Sequence, residues 1–514
     1  MLKTSSANHS MAHPAEERAA GGDLLLVFAI AAAILLLHLL TNMRYGFHRD
    51  ELQFLSDALH LDWGYVAYPP LTPFVERLSM ALFGISLEGL RLFSVIAQVC
   101  IIIVAGLMAR TLGGNRIAIA TASLAVAFAP IAIFEGTQFQ YTTFGQFGWV
   151  LATYGVVRLL QSEDERWWLW IAAFTGFGIM AKYTVVFFLA ALLAGFLLAP
   201  ARRHLASRWF VFGCGLTLLI VLPNLLWQVR HNFISLHFLE YIHARDLRIG
   251  RGSARDFWFF QALLSENPIA LPLTIAGVVA AWRSVRYRAL SAAFLLTILL
   301  FALTKGRGYY TAAVYPVMVA FGAVAVMRWA SSLRPAFRRT IVAVLWIGIL
   351  GFGAFATCVL VPVASGGPLK AFALARSEDL REEQGWATFV QTVAQVRDSL
   401  APAQRSSVGV VTGNYGEQGA VEILGRDYGL SAPISLTNSA WLRGYPTPQP
   451  TVLIVAGFSS DDANEDFTGC RVAAQVPYPA HLNNEESKYH PDIFVCGPPR
   501  LSWPEFWKKY QRFG

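Results

Sequence analysis

His48–Arg49–Asp50–Glu51 sets two carboxylates side by side, directly after the long apolar segment Leu24–Leu40. Charge beside a hydrocarbon phase is costly, so an acid pair there needs a reason. Carboxylates in such a place can take a proton from a hydroxyl, or hold a divalent ion together with a histidine such as His48. A simpler role also fits the residues: Asp50 before Glu51–Leu52–Gln53–Phe54–Leu55 can cap a short interfacial helix and favour its dipole. The two roles do not exclude each other. Downstream, Tyr68–Pro69–Pro70–Leu71–Thr72–Pro73 is a stiff segment. Its prolines fix φ and extend the residue before each of them, which turns the chain between two juxtamembrane elements.

Two further places carry charge against an apolar background. Lys182 interrupts Met180–Ala181–Lys182–Tyr183–Thr184. It reads either as a lysine snorkelling from a helix end or as a phosphate contact. Thr304–Lys305–Gly306–Arg307–Gly308–Tyr309–Tyr310 is sharper. Its glycines let backbone approach a ligand, and Lys305 with Arg307 suit a phosphate diester or pyrophosphate. Tyr309 and Tyr310 also fit an interfacial aromatic belt. The segment Gln228–Glu266 carries spaced histidines and arginines, and the pattern suits an amphipathic helix lying on the membrane. Gly413–Asn414–Tyr415–Gly416–Glu417–Gln418–Gly419–Ala420 follows a predicted strand. Without a βαβ context it is a poor dinucleotide fingerprint and reads as a turn, or as a lid over the membrane site.

These residues must be positioned by a membrane protein. The chain is 55% apolar and 14% charged, where a soluble protein carries nearer a quarter charged residues. Runs near the required ~20 residues suggest about eleven spans, at roughly 24–41, 89–109, 116–134, 143–160, 167–181, 184–199, 209–226, 268–282, 289–303, 311–328 and 340–362. The arginines of Arg110/Arg116, Arg158/Arg166, Arg202/Arg203/Arg208, Arg283/Arg286/Arg288 and Arg328/Arg334/Arg338/Arg339 fall on alternate connections, which places those loops in the cytoplasm. The net charge of +8 is therefore a topology signal and not a nucleic-acid signature. Asp50–Glu51, Lys182, Lys305–Arg307 and the C-terminal region then share the outer side, and the N-terminus is cytoplasmic. The expected organisation is a disordered tail over 1–22, a transmembrane domain over 23–365 with a first outer loop at 42–88, and a small α/β domain over 366–514. In that last domain Phe389–Leu400 reads as helix, and Ser407–Thr412 and Thr451–Ala456 read as strands. Cys470 and Cys496 lie there and can pair in an oxidising compartment.

Taken together, Tyr45–Gly46–Phe47–His48–Arg49–Asp50–Glu51, Asp62–Trp63–Gly64–Tyr65, Pro69–Pro70–Leu71–Thr72–Pro73, Lys182–Tyr183 and Lys305–Gly306–Arg307–Gly308–Tyr309–Tyr310 resemble the bacterial branch of the glycosyltransferase 39 superfamily. That group includes dolichyl-phosphate-mannose–protein mannosyltransferases and lipid A aminoarabinose and galacturonosyl transferases. The resemblance implies a mainly α, polytopic GT-C membrane fold in a bacterial inner membrane, with a small extracytoplasmic α/β domain. It implies a polyprenyl-phosphate sugar donor, transfer with inversion on the outer face, and a glycolipid, glycan or protein acceptor. It also implies Asp50 as base with Glu51 beside it, and Lys182, Lys305 and Arg307 on the lipid phosphate, next to Tyr309 and Tyr310. His48, Tyr68, Pro69 and Pro70 would form the substrate loop, and a divalent ion on Asp50, Glu51 and His48 is conceivable. One departure stands out. Many relatives carry a second acid near the start of the fourth span, where this chain reads Gln140–Tyr141–Thr142–Thr143, with Glu135 the nearest substitute. Two other functions fit the same composition: a flippase of lipid-linked sugars, and an inactive lipid-binding relative.

Overall fold

The computed structural model describes residues 14–479 and 482–514, with side chains from residue 23 onward. The expected tail over 1–22 lies partly outside the described residues; the rest of it opens the first helix, Pro14–Thr41. Among the described residues, five helices are long and apolar enough to cross a membrane, or eight spans when each bent pair counts as one, against the eleven expected. The five are Asp23–Thr41, Leu87–Thr111, Arg208–Arg230, Gly308–Ser331 and Pro335–Leu360. Tyr141–Ser162, Trp167–Ala181 and Arg288–Leu303 occupy three further expected positions.

Two of the bent pairs meet at their breaks. Arg116–Ala127 turns by 59° into Pro130–Thr137, and Ala254–Leu263 turns by 81° into Pro268–Arg283. Pro130 and Pro268 each start the second segment, where a missing N–H costs nothing. The backbone groups freed by the breaks are paired with each other's chain. Ile131 N donates to Leu264 O at 3.0 Å, and Asn267 Nδ2 donates to Phe128 O at 2.9 Å. Such broken backbone survives at membrane depth only where protein satisfies it.

The C-terminal region carries a five-stranded sheet: β1 (Val408–Thr412), β2 (Ile434–Ser435), β3 (Val452–Ala456), β4 (Arg471–Gln475) and β5 (Asp492–Cys496). The order is β2-β1-β3-β5-β4, with β1 parallel to both neighbours and β5 antiparallel to both of its own. Cys470, just before β4, is bonded to Cys496 at the end of β5. The expected helix runs Trp386–Ser399.

The first loop holds two helices, Arg49–Leu59 and Leu71–Phe83. The helix Arg49–Leu59 is buried along nearly its whole length between the membrane helices and the C-terminal domain. Leu52, Phe54 and Leu55 share one apolar cluster with Tyr68 and Phe139 on one side and Trp386, Phe389, Val421 and Ile454 on the other. The glycine-rich segment is not a turn. It is the start of a helix, Tyr415–Leu424, capped by Asn414. A Cβ on Gly419 would stand 2.4 Å from the Leu52 backbone, and one on Gly416 would stand 3.0 Å from Arg49 Cβ. Gly419 lets the helices meet backbone to backbone, and Gly416 makes room for Trp386 and Arg49 Cβ. A polar network closes the rest of the seam. Arg443 donates to Asp57 at 2.5 Å, and Ser56 and His60 bond Glu422 at 2.5 and 2.7 Å.

Candidate active site

The acids at positions 50 and 51 are separated in role by their surroundings. The N-cap of Arg49–Leu59 is His48, not Asp50. Asp50 N donates to His48 Nδ1 at 3.2 Å, and Glu51 Oε2 accepts from His48 N at 2.8 Å, so the capping box is built by His48 and Glu51. This frees the Asp50 side chain from the capping role expected of it.

Glu51 is completely buried and fully used. Arg91 grips it through Nε at 2.8 Å and Nη2 at 2.7 Å, and Phe139 N donates to it at 2.8 Å. Arg91 also donates to Asn42 O at 2.6 Å and Gly46 O at 3.0 Å, and lies 3.3 Å from Glu383 of the C-terminal region. Burial pushes the Glu383 carboxyl up to about 8, against the pull of Arg91. Glu51 therefore holds three segments together and offers no free oxygen to a ligand. Of the set His48, Asp50 and Glu51, Glu51 is spent on Arg91, and His48 turns Nδ1 to the Asp50 amide. Among the described residues no group of three His, Cys, Asp or Glu side chains is arranged to hold one.

Asp50 accepts one hydrogen bond on each oxygen. Gln140 Nε2 donates to Oδ2 at 3.0 Å, and Tyr415 Oη donates to Oδ1 at 2.9 Å. Burial pushes this carboxyl up, but His48, the Gln140 bond, Arg49 and the Tyr415 bond outweigh it and hold the group below the usual carboxylate range. The residue standing near the start of the fourth span is thus an amide that supports Asp50, in place of an acid that would repel it.

Tyr141, the next residue, carries the second half of the site. Its ring lies under Lys182, whose Nζ is 5.0 Å from the ring centroid. Tyr309 and Tyr310 close the other sides at 4.9 and 4.1 Å. Lys182 is buried and ends the helix Trp167–Ala181, so it does not snorkel. It fits beside Gly145, where a Cβ would come within 3.1 Å of its own. Lys182, Tyr309, Tyr310, Glu135, Thr142 and Gln146 line one pocket. Three aromatic faces surround the ammonium, and the Glu135 side chain lines the same pocket.

The remaining expected residues divide. Arg307 stands beside this cage, donating to Tyr309 Oη at 3.3 Å, but its charge is already paired with Asp246, at 2.5 and 2.9 Å. Asp246 comes from the helix Ile234–Arg248 of the long loop. Lys305 does not join the cluster. It sits exposed in a left-handed turn (φ 54°), where the chain reverses between two helices. Tyr68 is buried, hydrogen-bonded to Asp57 and stacked on Tyr141 at 5.6 Å. Pro69 and Pro70 lead into the helix Leu71–Phe83. Tyr68, Pro69 and Pro70 thus shape the wall behind Tyr141. Sequence reading gave no role to Arg91, Tyr141 or Asp246, saw Gln140 only where relatives carry an acid, and saw Tyr415 only within a glycine-rich turn or lid. Arg91, a cation inside an apolar span, carried a signal of its own.

A family model described as dolichyl-phosphate-mannose-protein mannosyltransferase matches residues 67–227. The lipopolysaccharide core galacturonosyltransferase RgtB of Rhizobium johnstonii is 27% identical over 259 residues, and the match covers 49% of this chain and 50% of that protein. The chain thus aligns with about half the length of this curated relative. Among solved structures, ArnT from Cupriavidus metallidurans bound to undecaprenyl phosphate superposes with TM-score 0.54 at 16% identity, over 94% of this chain and 99% of that one. The archaeal oligosaccharyltransferase AglB from Archaeoglobus fulgidus, in complex with an inhibitory peptide and a dolichol-phosphate, gives 0.50 at 11%, over 85% and 69%. These likenesses establish the fold. The chain is a GT-C-type membrane protein similar to the glycosyltransferase 39 superfamily, as its motifs suggested.

Proposed function

We propose that this GT-C chain transfers a sugar from a polyprenyl-phosphate donor to an acceptor hydroxyl. The observation that carries the reading is the pair Gln140–Tyr141: one residue holds Asp50 and the next lies beneath Lys182. A carboxylate and a lysine side chain are thereby held by adjacent residues. In the reaction, the acceptor hydroxyl gives its proton to Asp50 and its oxygen attacks the anomeric carbon. The bond from that carbon to the phosphate oxygen breaks, and polyprenyl phosphate leaves with the bonding electrons. Attack opposite the leaving group inverts the anomeric centre. Lys182 meets the charge that collects on the phosphate, and Arg307 reinforces it at the rim. The donor class is supported by the relatives, whose descriptions pair this fold with undecaprenyl phosphate and dolichol-phosphate.

The alternation of arginine-rich connections supports an orientation in which the site opens on the outer face of a bacterial inner membrane, with the N-terminus in the cytoplasm. The Cys470–Cys496 bond suits the same side, because disulfides persist in oxidising compartments. Acceptors compatible with this placement are glycolipids, glycans and proteins.

The test uses the purified full-length chain in nanodiscs. It is incubated with undecaprenyl-phosphate carrying a hexose, an aminopentose or a uronic acid, and with an envelope extract as the acceptor source. Release of free undecaprenyl phosphate from any member of the panel is the expected result. Lys182→Met is expected to lower that release by about 100-fold, the usual loss when one charge-stabilising donor is removed from a transfer site. A flippase would move the donor intact and release none. Absence of release across the panel, with donor still bound, would favour the inactive lipid-binding relative.

A further inference from the structure

We infer that Tyr415, supplied by the C-terminal domain, is a positioning residue for Asp50, so that this domain completes the site in the membrane domain. The inference rests on the reading of Asp50 as proton acceptor.

Four contacts deliver Tyr415. Asn414 caps its helix, accepting from Glu417 N at 3.0 Å. Gly419 lets that helix lie directly on the Leu52 backbone, and Gly416 leaves room for Arg49 Cβ and Trp386. The Arg49 guanidinium sits 4.7 Å over the Tyr415 ring and pairs with Glu485 on the far side. Asn414 Nδ2 in turn donates to Glu486 at 3.0 Å. The phenol therefore arrives at Asp50 from a surface anchored on two sides.

With Gln140 on one oxygen and Tyr415 on the other, the plane of the carboxylate is fixed. Each oxygen keeps a second lone pair, which an acceptor hydroxyl can use. Burial drives the Tyr415 hydroxyl above its ordinary range, so it remains a phenol and a donor. The groups that face Asp50 are His48 and Arg49 from its own segment, Gln140 and Tyr141 from the fourth-span start, Tyr415 from the domain helix, and Asp379 from the segment before Trp386. Tyr415 and Gln140 are the two among them whose side chains hydrogen-bond to the carboxylate.

A purely structural latch predicts a different outcome, and the experiment separates the two. Tyr415→Phe keeps the ring beneath Arg49 and removes one oxygen. In the nanodisc assay its turnover should fall by about 10- to 100-fold, as for loss of a hydrogen bond to a charged group. Donor KM and thermal stability should stay at the parental values. The acid limb of the rate profile should move up by about one pH unit, because the lost bond favoured the ionised carboxylate. An unchanged turnover and acid limb would overturn the inference, as would a loss of stability with turnover intact. Should Tyr415→Phe fail to fold, 2,3-difluorotyrosine at position 415 replaces it. Its stronger donor should move the acid limb to lower pH, and no movement would overturn the inference. Asp50→Asn runs in parallel. If that variant is fully active, the reading of Asp50 fails. If it is inactive and Tyr415→Phe behaves as the parent, only the role of Tyr415 fails.

Discussion

Asp50→Asn is expected to lower undecaprenyl phosphate release by about 10²- to 10⁴-fold, the usual contribution of a positioned proton acceptor. The substitution is close to isosteric. The asparagine oxygen can still accept from Gln140, and its amide can donate to the Tyr415 hydroxyl, so the helix and the domain seam stay in place. Donor binding should survive, because the phosphate is met by Lys182 on the other side of Tyr141. The loss should therefore fall on turnover and leave the donor KM near the parental value. The pH dependence has a definite sign. In the proposed role Asp50 acts as carboxylate, and His48, Gln140, Arg49 and Tyr415 hold its protonation below the usual carboxylate range. The parental rate should stay flat from neutral pH downward and fall only as the pH passes below ordinary carboxylate values. A half-loss of rate near pH 6 would contradict this environment.

The second large effect is on stability. Arg91→Met removes the cation paired with Glu51 and Glu383, two carboxyls that are 0% and 1% exposed. Breaking a buried pair from one side costs about 3–5 kcal/mol, because the other charge remains buried without a partner. Arg91 also ties Asn42 and Gly46 to the same point, so the first loop should loosen along with the C-terminal segment that carries Glu383. The expected result is a marked fall in the thermal midpoint of the detergent-solubilised chain, with no comparable fall for Asp50→Asn. Equal midpoints for Arg91→Met and the parent would remove the assignment of Glu51 as an anchor.

The sequence made half of this site legible, and the reason lies in chain distance. Asp50, Glu51 and Lys182 stand out because charge against an apolar background is rare. The tyrosines at 309 and 310 follow from the cations beside them. Their partners do not stand out. Gln140 contacts a residue ninety positions away and Tyr415 one 365 positions away. Neither is charged, so local pattern gives no sign of either. Gln140 was visible only as a missing acid, whereas its amide performs a task an acid could not, since a second carboxylate would raise Asp50. Lys305 looked equivalent to Arg307 in sequence, but the left-handed turn at 305 points the two apart. Strands β1 and β3 were readable as buried β-branched runs, and they lie within a residue of their expected positions. Strand β4 was not, because Arg471–Gln475 is an edge strand whose residues remain largely exposed.

The two glycines at 416 and 419 bear on how this chain can be recombined. Composition places a border near residue 366, where hydrophobic spans give way to a mixed sheet. The backbone-to-backbone seam ignores that border. A chimera that exchanges the C-terminal region for a relative's must bring the matching 49–59 helix with it, or two surfaces shaped for other neighbours will meet at Leu52. The inheritable module is a loop from the first fifth of the chain together with a domain from its last third.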